Sequence, residues 1–306
     1  MKLAIGSGPA FREVSSQLYT NPGAAAKYLR WWKRQGVEGI VFYDALPNFY
    51  QVPVERFGAI KRVLDDIGLP VAAFNALRKS LFMPELAEID QRRVERCLAV
   101  CEQLRPAIFD MSVNVPIPHG LDPLAMAARP LYRGAYASAE AFAQAAERLR
   151  PVVTALAGMG AELSIELHDD GLQDTAEGCL RLLNLIGEPN VGVNPDIGNW
   201  YRVPYVHPDS WRDQLRKLAA KTNYWEVKNY VRLIVPDDRR AYSWNVALDQ
   251  GDLDFRDAAA TLWRAGFRGW VCHEGGSGDI VQSQLTYLRY MRWILDEWIP
   301  LTESGG

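Results

Sequence analysis

Short runs of β-branched and apolar residues alternate along the chain with longer stretches whose apolar residues recur at helical spacing, and the alternation continues from end to end. The spacing predicts eight strands, at residues 2–6, 37–43, 70–75, 107–113, 162–167, 191–196, 224–228 and 269–274. The helical segments between them have readable starts. Asn21 followed by Pro22 offers a cap with proline at the first helical position. Asp174-Thr-Ala-Glu177 resembles a capping box, and Ser138 precedes an Ala-rich helix that ends near Gly158. Repeated strand–helix units need parallel strands joined by right-handed crossovers. Eight of them in 306 residues predict an α/β fold, one (β/α)8 TIM barrel spanning residues 1–306 as a single domain. An open doubly wound sheet fits less well, because Gly6-Ser-Gly8-Pro9 does not supply the G-x-G-x-x-G turn that follows its first strand. The longest irregular stretch, 114–136, falls between strand 4 and helix 4. It carries Pro116, Pro118, Gly120, Pro123, Pro130 and Gly134, and a loop of that length is more often functional than filler.

Composition narrows the partners. Hydrophobic residues make up 48% and charged residues 23% of the chain, an ordinary globular balance, and a net charge of −3 gives no attraction to nucleic acid or an anionic membrane. No apolar run approaches the roughly 18 residues that suggest a spanning helix, and the first residues do not resemble a secretion signal. Cys97, Cys101, Cys179 and Cys272 show no C-x-x-C spacing. Cys97 and Cys101, four apart, share a helical face and are expected to pack, which fits a reducing, cytoplasmic setting.

The chemistry concentrates at strand ends, since a barrel of this kind places its active site at the C-terminal face. Four consecutive late strands end in carboxylates: Leu163-Ser-Ile-Glu166-Leu-His168, Val191-Gly-Val-Asn194-Pro-Asp196-Ile-Gly-Asn199, Tyr224-Trp-Glu226-Val-Lys228-Asn229 and Trp270-Val-Cys-His273-Glu274. Side chains alternate across a strand, so Glu166 and His168 face one way, as do Glu226 and Lys228. If the apolar neighbours pack toward the helices, Glu166, Asp196, Glu226 and Glu274 converge on the barrel mouth. Four carboxylates aimed at one spot repel unless a cation neutralises them. An all-oxygen set suits a hard divalent ion, Mn²⁺ first, with Mg²⁺ or Co²⁺ as alternatives. A helix cap or a salt bridge explains any single acid equally well, but not four at successive strand ends.

These residues are where the chain resembles the xylose isomerase-like barrels, a superfamily of sugar isomerases and epimerases. It also includes inosose and dehydroshikimate dehydratases and the barrel subunit of C-glycoside deglycosidases. The matching pieces are Ile165-Glu166-Leu167-His168, the run from Val191 to Asn199, Val227-Lys228-Asn229, Gly251-Asp252-Leu253-Asp254-Phe255 and Glu274. The resemblance implies metal ligation by Glu166, Asp196 and Glu274, with a histidine expected at the position held here by Glu226. Asn199 stands where relatives acting on ketoses often have histidine, and Arg232 falls near a substrate-binding arginine of epimerases. The implied chemistry is removal of a proton beside a carbonyl of a sugar or keto-sugar, with Glu166 and Glu274 on opposite sides of the substrate. The resemblance therefore implies a metal-dependent isomerase or epimerase of carbohydrate metabolism. A lyase follows if a leaving group lies β to the enediolate, and a deglycosidase would add a small partner subunit.

Other residues carry two readings each. His168 binds a substrate oxygen or moves a proton, or else bonds a neighbouring loop. Lys228 stabilises an enolate oxygen or forms a salt bridge with a strand-end acid. His273, next to Glu274, should point toward the helices, whereas His119 in the long loop could reach over the mouth as a substrate-binding lid residue. Gly275-Gly276-Ser277-Gly278 could wrap a phosphate or simply turn the chain. Tyr201, Tyr205, Tyr224, Trp225, Tyr230, Tyr242 and Trp244 are expected around the mouth, for stacking on a substrate or at a homo-oligomer interface. Abasic-site endonucleases share the superfamily, but they need several histidines and a basic groove. This chain has four histidines and 37 acids against 34 bases.

Overall fold

The computed structural model describes residues 1–7, 18, 20–45, 49–115, 132–235, 240–275 and 278–303. The strands are β1 (Lys2–Gly6), β2 (Gly39–Tyr43), β3 (Val71–Lys79), β4 (Ile108–Val113), β5 (Glu162–Glu166), β6 (Val191–Asn194), β7 (Tyr224–Val227), β8 (Asn229–Val235), β9 (Arg240–Val246) and β10 (Trp270–His273). Eight of them run parallel in the order β6-β5-β4-β3-β2-β1-β10-β7, and β8 and β9 form a separate antiparallel hairpin. The predicted (β/α)8 barrel is therefore present, each predicted strand matching an observed one within a few residues.

The seam between the two ends of the sheet, β6 and β7, is held by few contacts. Asn223 N–H donates to the Val193 carbonyl at 3.2 Å, and the Asn194 side chain substitutes for backbone by accepting from Glu226 N–H at 2.8 Å. Gly192 is required at this seam, since a Cβ there would lie 2.3 Å from the Asn223 side chain.

Around the sheet lie α1 (Pro22–Arg34), α2 (Val54–Ile67), α3 (Pro84–Leu104), α4 (Ala139–Met159), α5 (Ala176–Ile186), α6 (Ile197–Tyr201), α7 (Trp211–Leu218), α8 (Phe255–Arg264), α9 (Ile280–Trp293) and α10 (Ile299–Glu303). Asn21 caps α1 and Ser138 caps α4, as their sequences predict. For α5 the cap is Thr175, whose extended backbone lets its hydroxyl accept from Gly178 N–H. Asp174, one residue earlier, instead faces Arg133 at 3.5 Å. Phe42, Phe74, Phe109 and Leu163 are register partners and fully buried. Cys97 and Cys101 are buried on α3, and all four cysteines are free.

One element was not foreseen and one expectation changes. The β8–β9 hairpin was not legible: its strands flank the charged run Asp237-Asp238-Arg239-Arg240, and it is anchored by Ala241 N–H donating to the Pro204 carbonyl at 2.9 Å. Tyr224 and Trp225 do not line the mouth. Both are fully buried, Trp225 against Phe255 of α8 and Tyr224 bonded to Glu226. Most of the long loop, with His119, and Gly276-Ser277 lie outside the described residues. Among the described residues, no helix is long and apolar enough to cross a membrane.

Candidate metal centre

The C-terminal ends of four neighbouring strands bring Glu166, Asp196, Glu226 and Glu274 together. One carboxylate oxygen from each lies within 4.8 Å of the others. Glu166 and Glu226 sit in β5 and β7, while Asp196 and Glu274 fall just beyond β6 and β10. The first three are buried, and the Glu274 side chain is 28% exposed toward the mouth.

Each acid is fixed through part of its carboxylate. Asp196 Oδ1 caps α6, accepting from Gly198 and Asn199 N–H at 2.9 and 3.2 Å. The Asn199 amide, one turn on, donates to Glu166 Oε1 at 2.8 Å and Asp196 Oδ2 at 3.1 Å, so this side chain ties two of the acids to each other. Glu226 Oε1 accepts from Asn75 Nδ2 at 2.7 Å and from the hydroxyls of Tyr224 and Tyr43 at 3.2 and 3.4 Å. Lys228, itself buried, donates to Asp196 Oδ2 at 2.9 Å and to Glu274 Oε2. Glu166 Oε2 is buried and has no hydrogen-bond partner.

Below the acids the barrel interior is polar where such barrels are usually filled by branched apolar side chains. Tyr43, Asn75, Asp110, Ser164 and Gly192 are successive register partners from β2 to β6 and therefore face the same way. Asp110 is fully buried, accepts from Asn194 Nδ2 at 3.4 Å and leaves Oδ1 without a partner. Neither this acid nor its neighbours Tyr43, Asn75 and Asn194 had been singled out from the sequence. The inward parity of a residue two places before a site acid, such as Ser164 below Glu166, was the available signal.

The electrostatics follow from burial and crowding. Burial pushes the carboxyls of Asp110, Glu166 and Glu226 well above the carboxylate range, and the neighbouring acids push them further. Asp196 is also raised by burial, against the pull of Lys228. Burial acts on Glu274 in the same sense, but there Lys228 prevails and the carboxyl is held low. Lys228 keeps its proton despite burial because Asp196 and Glu274 flank it. Among the described residues, Lys228 is the one cation bonded to any of the four acids. Four carboxylates against one ammonium, with a buried oxygen of Glu166 unpartnered, form a donor set that fits a hard divalent cation.

The other sequence candidates divide. Asn199 and Lys228 touch the acids directly. His168 sits beside them, with Nδ1 2.7 Å from the Asp169 carbonyl and 3.2 Å from Asp169 Oδ1. Both are acceptors, so the proton belongs on Nδ1 and Nε2 carries the lone pair. Burial lowers the ring's pKa to about 3, leaving it neutral. Asp169 is in turn held by Arg202, a pair the sequence reading missed. Arg232 is directed elsewhere: its guanidinium donates to the carbonyls of Val203 and Tyr205 and lies over Tyr201. His273 points to the helices, stacked on Tyr287. The Gly251–Asp254 motif has a structural partner in Asn229, whose amide donates to the Leu248 and Leu253 carbonyls. A Cβ on Gly251 would fall 2.2 Å from Asn229 Oδ1.

The chain belongs to the xylose isomerase-like TIM barrel family, whose model matches residues 29–295. It is similar to a xylose isomerase-like TIM barrel protein from Mycobacterium smegmatis solved in complex with magnesium, with a TM-score of 0.74, 23% identity and 90% of each chain covered. An L-ribulose 3-epimerase gives a TM-score of 0.71 at 16% identity, covering 99% of this chain and 97% of that one. The probable 3-DHS dehydratase AsbF, involved in petrobactin synthesis in Bacillus anthracis, gives 0.66 at 15% identity over 95% and 99%. At these identities the likenesses establish the fold alone. No curated protein gives a significant sequence match.

Proposed function

We propose that this protein is a divalent-metal-dependent isomerase or epimerase that moves a proton beside the carbonyl of a sugar or keto-sugar. The observation that carries the reading is the convergence of four strand-end acids with a single lysine among them. Glu166, Asp196, Glu226 and Glu274 would hold the ion, Mn²⁺ or Mg²⁺. When bound, it supplies Lewis-acid stabilisation of negative charge developing on a substrate oxygen.

The chain's own residues do the rest. Glu166, with one oxygen anchored by Asn199 and the other without a partner, and Glu274, just past β10 and partly open to the mouth, stand on opposite sides of the substrate: one removes the proton next to the carbonyl and the other returns one to the enediolate. His168 Nε2 accepts a hydrogen bond from a substrate hydroxyl, its ring held by Asp169. Lys228 spreads positive charge toward the substrate oxygens while keeping Asp196 and Glu274 in place. A lyase outcome uses the same proton removal. It is favoured by Lys228, an ammonium already beside Glu274, which can offset charge on a departing hydroxyl.

Incubation in D₂O with a panel of ketoses and 3-keto-sugars tests the reading. Deuterium is expected at the carbon beside the carbonyl of one substrate class, and Glu166→Gln or Glu274→Gln should slow its entry about 10²–10⁴-fold, the usual worth of a general acid–base group. Elimination product from the same incubation selects the lyase. Metal-loaded enzyme that exchanges no proton with any member of the panel, or full exchange in either variant, contradicts the proposal.

A further inference from the structure

The resemblance drawn from the sequence implies histidine at position 226, where this chain has glutamate. The surroundings of that side chain are matched to a carboxylate. Asn75 from β3, Tyr43 from β2 and Tyr224 from β7 all direct donors at the same oxygen, Oε1, at 2.7, 3.4 and 3.2 Å. Its backbone N–H is locked by Asn194 Oδ1 at 2.8 Å. Three donors meeting on one atom suit an anionic acceptor. A metal-bound imidazole needs the opposite, an acceptor for the N–H of its outer nitrogen. Glu226 Oε2 has only a long contact, 3.4 Å from Asn194 Nδ2. The carboxylate is thus gripped by one oxygen, while one of its oxygens lies within 4.8 Å of an oxygen from each of the other three acids. Lys228, two residues along, bonds Asp196 and Glu274 and offsets the extra negative charge that glutamate brings.

Building on the reading of these acids as a metal centre, we infer that Tyr43, Asn75 and Tyr224 are positioning residues, a cradle that presents Glu226 as a fourth oxygen ligand. Relative to the same centre with an imidazole ligand, selectivity then shifts toward the hard ions Mg²⁺ and Mn²⁺, because Zn²⁺, Co²⁺ and Ni²⁺ gain most from the imidazole that is missing.

The test is calorimetric titration of the full, metal-stripped protein with MnCl₂ and, separately, with ZnCl₂, taking the ratio of the two dissociation constants. Glu226→His should shift that ratio toward zinc by about tenfold or more, and Tyr43→Phe combined with Asn75→Leu should weaken Mn²⁺ by about 10–100-fold, as loss of outer-shell partners does. A merely structural role for the cradle would lower the melting temperature of that double variant without weakening its Mn²⁺ binding. Glu226→Gln, which keeps the shape, guards against variants that fold poorly. Unchanged Mn²⁺ binding in Glu226→Gln, or an unchanged ratio in Glu226→His, overturns the inference while leaving the metal centre standing. Absence of divalent binding to the unaltered protein overturns both.

Discussion

Two buried lysine–carboxylate groups sit at strand ends of this barrel, and they are built differently. In the first half, Asp44, just past β2, meets Lys79 at the end of β3 at 2.6 Å. Its remaining acceptor sites take the Tyr50 hydroxyl at 2.5 Å and Leu77 N–H at 3.0 Å. One acid faces one cation, and both carboxylate oxygens are satisfied. In the second half, Lys228 is shared between Asp196 and Glu274, while Glu166 and Glu226 stand nearby without a cation of their own. A buried pair that balances its own charge braces the fold. Acids in excess of cations, with a buried oxygen left over, form a donor set that could hold a metal ion.

Removing each lysine should separate the two cases. Lys79→Met leaves Asp44 buried and uncompensated, and we expect a loss of about 3–5 kcal/mol in urea unfolding, the usual cost of breaking a buried pair, whether or not Mn²⁺ is present. Lys228→Met should cost less, about 1–3 kcal/mol in metal-free protein, since Glu274 is partly exposed and buried Asp196, its carboxyl already raised, can take up a proton. Saturating Mn²⁺ should recover most of that loss. Equal metal rescue of both variants would erase the distinction.

The smallest effect concerns pH. Asp110, Glu166, Asp196 and Glu226 all have carboxyls raised in the folded protein. The folded state therefore binds these protons more tightly than the unfolded one, and the stability they contribute is present in acid and lost as pH rises through the raised values. Glu274, held low by Lys228, runs the other way, as do His168, His207 and His273, which burial keeps neutral, but none of these changes protonation above about pH 7. The melting temperature of metal-free protein should therefore fall as pH rises above about 7. With Mn²⁺ the slope should reverse, because an ion binds only the deprotonated acids. Parallel pH profiles with and without Mn²⁺ would contradict this assignment.

The barrel was legible in the sequence because its signals are local. Eight apolar runs alternate with helical stretches, and caps such as Asn21 and Ser138 mark helix starts between them. The four acids were legible for the same reason, each closing its own strand. What escaped depends on the barrel's interior. Tyr43 ends a strand that reads Gly-Ile-Val-Phe-Tyr and Asn75 lies within one that begins Val-Ala-Ala-Phe-Asn, ordinary buried runs until closure brings them across the barrel to Glu226. Tyr224 looked like a mouth aromatic because only the pairing with β10 shows its depth. Lys228 illustrates a further limit: its two readings, enolate contact and salt bridge, involve the same atom at the same place, and a sequence cannot count how many acids share it.

The most direct test of the central claim is isothermal titration of chelator-treated protein with MnCl₂ at pH 7.5, alongside Glu166→Gln. The account predicts saturable binding of one ion per chain, greatly weakened in the variant. No saturable binding, or binding unaffected by loss of the Glu166 charge, would mean that Lys228 alone balances these acids and that no ion belongs among them.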